Sequence, residues 1–273
     1  MLWELVKAII IGIVQGITEW LPISSTGHMI LIEQFLNLDV SPEFKSMFFV
    51  VIQLGSILAV LVLYFHKLNP FSLKKDKKER KKTITLWLKV LVAAIPAGAI
   101  GVLFDDEIDA FFFNNVFIIA AALIIYGVLF IVLENLNKNK NAQVKTVEEL
   151  SFFDAFIIGL YQMLALIPGT SRSGSTIIGG INSGIGRTAV AEFSFFLAIP
   201  VMLGASFLKI IKFGINYTLN EWMILIVGVV VAFVVSVLAI RFLINYIKKH
   251  DFKVFGYYRI ILGIIVILYF LLV

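Results

Sequence analysis

Cysteine is absent from the 273 residues, which excludes a disulfide framework, a thiolate metal site and cysteine catalysis together. Charge is scarce as well. Charged residues make up 15% of the chain, against roughly 25% in an ordinary soluble domain. With 60% of residues hydrophobic, the chain requires a solvent other than water. Histidine occurs only three times and proline six, so the place of each carries information. Gly/Ser linkers and low-complexity tracts are missing, and the economical reading is one polytopic membrane domain over residues 1–273. Net charge is +5, but the run from Lys74 to Lys82, with seven bases and two acids, carries that whole excess. The neutral remainder disfavours a nucleic-acid partner. Glu4, Lys7, Gln15 and Glu19 interrupt the apolar N-terminus, no small-residue cleavage site follows, and Met1 onward is read as mature protein.

What is abundant is apolar sequence in long runs. About 20 such residues cross a bilayer as a helix, and six stretches qualify: 46–65, 86–104, 115–134, 189–208, 221–246 and 255–273. Two more, 8–23 and 152–168, are short, and each runs into a proline followed by Ser, Thr and Gly. They read as re-entrant, because irregular backbone at membrane depth is tolerated only where protein or a wet cavity satisfies it. Short cytoplasmic loops collect Lys and Arg, which places Lys74–Lys82 inside, Asp105, Asp106, Glu107 and Asp109 outside, and Lys138, Lys140, Lys145, Lys248, Lys249 and Lys253 inside. Both termini then lie outside. Lys209 and Lys212 fall on the wrong side, which makes the end of the fourth span the weakest boundary.

The two broken stretches resemble each other. Gln15 precedes Pro22, Ser25, Thr26 and Gly27; Gln162 precedes Pro168, Ser171, Arg172, Ser173 and Gly174. Downstream, Glu43-Phe44 with Leu54-Gly55-Ser56 matches Glu192-Phe193 with Leu203-Gly204-Ala205 at identical spacing. This predicts a duplicated unit with halves at about 1–140 and 150–273. By the topology above, one broken stretch enters from outside and the other from inside. The predicted fold is therefore all-α and integral to the membrane, with six transmembrane helices plus two re-entrant helical hairpins in an inverted repeat, an arrangement that gathers polar breaks near the midplane.

Those breaks hold the residues with chemistry. Gln15 and Glu19 share one helix face, and a carboxylate at membrane depth costs several kcal/mol by order of magnitude, so a base or metal ligand is one reading and an interfacial acid the other. In Leu21-Pro22-Ile23-Ser24-Ser25-Thr26-Gly27-His28, a helix starting after the proline leaves free N–H groups that suit a phosphate. Ser25 and His28, three apart, are candidates for a nucleophile-and-base or ligand-and-acid pair. The second break adds Arg172, suited to a bidentate phosphate clamp unless it snorkels to the surface. The cradle around it comprises Ser24, Thr26 and Gly27 from the first break, and Gly169, Thr170, Ser171, Ser173, Gly174 and Thr176 from the second. Arg187 and Glu192 read as a structural pair or interfacial anchor, Arg259 as an interfacial residue, and His66 and His250 as headgroup contacts. Together the breaks describe a site for a phosphorylated headgroup whose tail stays in lipid, with ingredients for phosphoryl transfer to water. Glu19, with or without Gln15, is the evident acidic ligand for a divalent cation, and oxygen donors suit Mg²⁺ or Ca²⁺.

The stretches Gln15-Gly16-Ile17-Thr18-Glu19-Trp20-Leu21-Pro22-Ile23-Ser24-Ser25-Thr26-Gly27-His28 and Pro168-Gly169-Thr170-Ser171-Arg172-Ser173-Gly174 resemble the two signatures of the bacterial undecaprenyl-diphosphate phosphatase family of the bacitracin-resistance type. The likeness runs over essentially the whole chain. It implies removal of the terminal phosphate from a C55 isoprenoid diphosphate, recycling of the lipid carrier for cell-wall synthesis, divalent-cation dependence, and a place in the bacterial plasma membrane with the site facing outward. It also implies that Gln15 and Glu19 are the acidic motif, Ser25 and His28 its serine and histidine, and Arg172 its phosphate-binding arginine. Gln15 stands where the family has Glu or Gln. A transporter or flippase of a phosphorylated lipid carrier is the rival class, motivated by the inverted repeat; an ion channel or scaffold predicts no phosphate release. Small residues on several spans permit a homodimer.

Overall fold

The computed structural model describes residues 2–104, 107, 115–138 and 140–272. Helix α1 (Leu2–Thr18) and helix α2 (Ser25–Leu36) flank the first break. Then come α3 (Pro42–Leu63), interrupted only at Ile52, α4 (Lys77–Leu103) and α5 (Val116–Leu136). The second half repeats this order: α6 (Phe152–Met163) and α7 (Arg172–Asn182) flank the second break, and α8 (Arg187–Phe213), α9 (Leu219–Ile247) and α10 (Lys253–Leu272) complete the chain. The six helices α3, α4, α5, α8, α9 and α10 are each long and apolar enough to cross a membrane. Exposed Leu88, Ile95, Val230, Val234 and Leu268 on their outer faces suit contact with lipid chains.

Helix starts are written locally. Asp76 with Glu79, Ser151 with Asp154 and Thr218 with Glu221 form capping boxes at α4, α6 and α9. The box at Asp76 carries α4 well beyond the predicted start at residue 86, because basic residues are good helix formers once outside lipid. In each of the two short helix pairs, the start of the first helix lies beside the segment that follows the second. At α1 and α2, Lys7 Nζ donates to Asn37 O (2.9 Å) and Asp39 N to Glu4 (3.0 Å). At α6 and α7, the loop before the hairpin meets the loop after it through Gln143 N to Gly184 O (2.9 Å) and Gly186 N to Val144 O (2.8 Å).

The packing pairs corresponding elements of the two halves of the chain. Helix α1 packs along α9 and α6 along α4, which are corresponding pairs, while α5 packs along its counterpart α10. At this last crossing a Cβ on Gly127 would lie 2.7 Å from Gly256 O and one on Gly256 would lie 2.7 Å from Gly127 O, so only glycine on both sides allows the approach.

The basic segment Lys74–Lys82, which runs into the first turns of α4, and the loop around residues 140–149 lie at one end of the bundle. Lys67 ties that end together, its Nζ bonding Glu192 at 2.7 Å and Glu148 at 3.0 Å. Burial disfavours the Lys67 ammonium, but these two carboxylates outweigh it and raise its pKa above the usual range. Glu192 is therefore not the partner of Arg187, contrary to expectation; Arg187 pairs with buried Glu134, which also accepts from Phe252 N (3.0 Å). The predicted acidic stretch is described only at Glu107; Asp105, Asp106 and Asp109 lie outside the described residues.

Candidate active site

Both breaks use the same local device. Ser24 caps α2 by accepting from Gly27 N (3.3 Å), and Ser171 caps α7 by accepting from Gly174 N (3.1 Å). Their φ angles are 72° and 73°, and among the described residues they are the only non-glycine positions in the left-handed region. Such backbone costs of order 1–3 kcal/mol and persists where the surroundings over-determine it. What each strained cap achieves is to present the next residue, Ser25 or Arg172, at the first position of a helix.

The two first residues meet on one carboxylate. Glu19, 5% exposed, lies in the turn after α1. Its Oε1 accepts from Arg172 Nη2 at 3.1 Å, and its Oε2 accepts from Ser25 Oγ at 3.1 Å and Gln15 Nε2 at 3.0 Å. Arg172 Nη1 donates to Ser194 O (2.7 Å) on α8, and the guanidinium lies 5.7 Å from the ring of fully buried Trp20. The guanidinium is held rigidly toward Glu19 and does not snorkel outward.

The remaining expected residues divide. Ser25, Thr26, Gly169, Ser171 and Arg172 line, with Glu19, a cavity of about 430 Å³ walled by α4 and α8. Ser24, Gly27, Thr170, Ser173, Gly174 and Thr176 do not line it. Ser173 Oγ donates to Glu19 O (3.4 Å) and Thr176 Oγ1 bonds Ser194 Oγ (2.8 Å), so these side chains join the breaks to each other and to α8. Gly169, at φ 91°, passes so close to α5 that a Cβ would sit 2.5 Å from Ile119 O.

His28 departs most from expectation. It bonds neither Ser25 nor Glu19 and is not on the cavity wall. Its Nδ1 lies 2.7 Å from Ser24 O and its Nε2 2.7 Å from the Tyr258 hydroxyl. A carbonyl can only accept, so Nδ1 carries a proton and, in the neutral ring, Nε2 accepts from Tyr258. The reason is helical geometry: a side chain four residues beyond the capping residue reaches back to that residue's carbonyl, not to its neighbour's hydroxyl.

Arg259 also overturns its expected place. It is fully buried, not interfacial, and ties both breaks to α5: Nη1 donates to Pro22 O (3.2 Å), Nη2 to Gly169 O (2.9 Å) and Ala122 O (3.4 Å), and Nε to Leu123 O (3.4 Å). Its position in an apolar span was the available signal, since a charge at membrane depth marks a function by default. Lys209 and Lys212, which broke the charge rule, line the cavity. Helix α8 continues through both to Phe213, five residues beyond the expected end of the span at 208.

The donor set does not fit a resident divalent cation. Among the described residues Glu19 is the one carboxylate on the cavity wall, and both of its oxygens are engaged, one by a guanidinium that would repel a metal. Among the described residues no three of His, Asp or Glu come together as a metal site.

The profile of a family described as bacitracin resistance protein BacA matches residues 8–265. A protein named undecaprenyl-diphosphatase from Acetivibrio thermocellus is 60% identical over 270 residues, covering 99% of both chains. One named undecaprenyl-diphosphatase 1 from Clostridioides difficile is 60% identical over 271 residues, covering 99% of this chain and 98% of its own. Another undecaprenyl-diphosphatase, from Desulfitobacterium hafniense, is 58% identical over 98% of this chain and 96% of its own.

Proposed function

The chain belongs to the BacA bacitracin resistance family, and from that premise we propose that it hydrolyses undecaprenyl diphosphate to undecaprenyl phosphate and inorganic phosphate. It thereby recycles the lipid carrier of peptidoglycan synthesis and confers resistance to bacitracin. The observation that carries the site assignment is the meeting of Ser25 and Arg172 on the buried carboxylate of Glu19.

In this mechanism the diphosphate enters head first, its terminal phosphate beside Arg172 and the N-terminus of α2, while the isoprenoid tail remains among apolar groups. Glu19 Oε2 takes the Ser25 proton as Ser25 Oγ bonds the terminal phosphorus. The bond from that phosphorus to the bridging oxygen breaks, and undecaprenyl phosphate leaves with the bond's electron pair. Undecaprenyl phosphate takes the proton from Glu19, whose freed carboxylate deprotonates a water as that water bonds the phosphorus; the bond from phosphorus to Ser25 Oγ breaks, Oγ takes the proton back from Glu19, and inorganic phosphate leaves. Arg172 carries the charge on the transferred phosphoryl group, which is where positioned cations contribute most. His28 acts through Ser24, holding the carbonyl of the strained cap.

A Mg²⁺ or Ca²⁺ used in the reaction would be held by the substrate diphosphate rather than by residues of this chain, and would supply charge neutralisation. Chelator is expected to abolish phosphate release, whereas Mg²⁺ titrated into lipid-free protein gives no saturable heat; stoichiometric binding by the protein alone would contradict this. The cavity faces outward from the plasma membrane, a reading supported by the cavity's place at the end opposite Lys74–Lys82. The function itself is tested by phosphate release from undecaprenyl diphosphate in proteoliposomes. Release without lipid translocation is expected; translocation without release would make the protein a carrier.

A further inference from the structure

Gln162 has no role in the chemistry described so far. It stands on α6 nine residues before the capping Ser171, as Gln15 stands on α1 nine residues before Ser24. The two halves differ one helical turn later. Four residues after Gln15 comes Glu19, which accepts from the Gln15 amide at 3.0 Å; four residues after Gln162 comes Leu166. Gln162 is 1% exposed, lies on the wall of the cavity with Glu19, Ser25 and Arg172, and neither its Nε2 nor its Oε1 has a partner within the protein. Arg172 Nε is likewise without one. Buried amide groups are almost always hydrogen-bonded, and an unmet one is expensive enough to require an explanation.

Two unmet donors on the wall of one cavity, an amide N–H and a guanidinium N–H, match an oxyanion. We propose that Gln162 is a phosphate-binding residue, donating its Nε2–H to a non-bridging oxygen of the substrate diphosphate alongside Arg172 Nε–H. The second half of the repeat thus offers to the substrate anion the amide that the first half offers to its own carboxylate. The terminal torsion of glutamine is broad, so a small turn brings the amide from flush with the wall to the anion. The inference rests on the diphosphatase reading and adds a contact to it.

The test uses full-length protein in nanodiscs, farnesyl methylenediphosphonate as a non-hydrolysable ligand titrated by calorimetry, and farnesyl diphosphate for turnover. A hydrogen bond to a charged group translates to a factor of about 10–100 in affinity. Gln162→Leu is expected to weaken analogue binding about 10-fold. Gln162→Glu, equal in shape but acceptor-only when ionised, is expected to weaken it about 100-fold. Gln162→Asn falls between wild type and Gln162→Leu. A purely structural role predicts no such order, because Glu preserves the packing that Leu and Asn alter. Wild type and Gln162→Glu binding the analogue equally, or wild type not binding it, overturns the proposal. Tight analogue binding by wild type without turnover of farnesyl diphosphate strikes only at the phosphatase reading.

Discussion

Arg172→Ala is expected to lower kcat/KM for a prenyl diphosphate by about 10²–10³ or more, the loss typical of one positioned donor to developing charge. A second effect comes with it. Glu19 is 5% exposed, and without Arg172 its carboxylate is left buried with only Gln15 and Ser25 as partners. Breaking a buried pair by deleting one partner costs about 3–5 kcal/mol, so the unfolding temperature should fall too. The double variant Arg172→Ala with Glu19→Gln removes the stranded charge. It is expected to regain much of the stability and none of the activity, which separates the chemical role of Arg172 from its structural one. Arg172→Lys keeps a charge but cannot fork between Glu19 and Ser194 as the planar guanidinium does, and should remain strongly impaired. Near-normal turnover of Arg172→Ala, measured as phosphate release in nanodiscs, would remove Arg172 from the mechanism.

Arg259→Met is expected to destabilise the protein by roughly 3 kcal/mol or more, since it strands Pro22 O and Gly169 O, which lie outside any helix, in an apolar interior. The four carbonyls that Arg259 binds are not equivalent. Pro22 O and Gly169 O belong to the two breaks, while Ala122 O and Leu123 O belong to α5. Losing the tie frees Pro22 and Gly169, and with them the caps that aim Ser25 and Arg172. Activity should therefore fall even under conditions where Arg259→Met stays folded, with kcat affected more than KM because alignment is lost rather than contact. Arg259→Lys supplies one point charge in place of a fork and should recover little. Thermal unfolding together with turnover checks this; a variant like wild type in both would make the four bonds incidental.

The long elements were legible because lipid demands about 20 apolar residues per span, a constraint strong enough to survive without tertiary information. All six predicted spans are present, with boundaries displaced mainly where helices continue into water, as α4 does through its basic first turns. The breaks were legible for a related reason: Pro22 and Pro168, each followed by hydroxyl residues and glycine, announce irregular backbone that membrane depth does not otherwise permit. What sequence spacing could not supply was direction. His28 lies three residues from Ser25, yet its ring turns to Ser24 O and Tyr258. Arg259 has aromatic neighbours typical of an interface but points inward, and only its place within an apolar span signalled that. Gln162 was visible as the mate of Gln15, but its lack of an acid partner has meaning only once Leu166 and the cavity are seen together.

The central claim is that two helix breaks entering from opposite ends of the bundle form a single diphosphate site. Its most direct test is a structure in nanodiscs with farnesyl methylenediphosphonate bound. The terminal phosphonate is predicted between Ser25 Oγ and the Arg172 guanidinium, in the cavity that Glu19 floors. A diphosphonate seated instead in the polar cavity of about 360 Å³ at the opposite end, among Asn137, Lys140 and Arg187, would contradict the account.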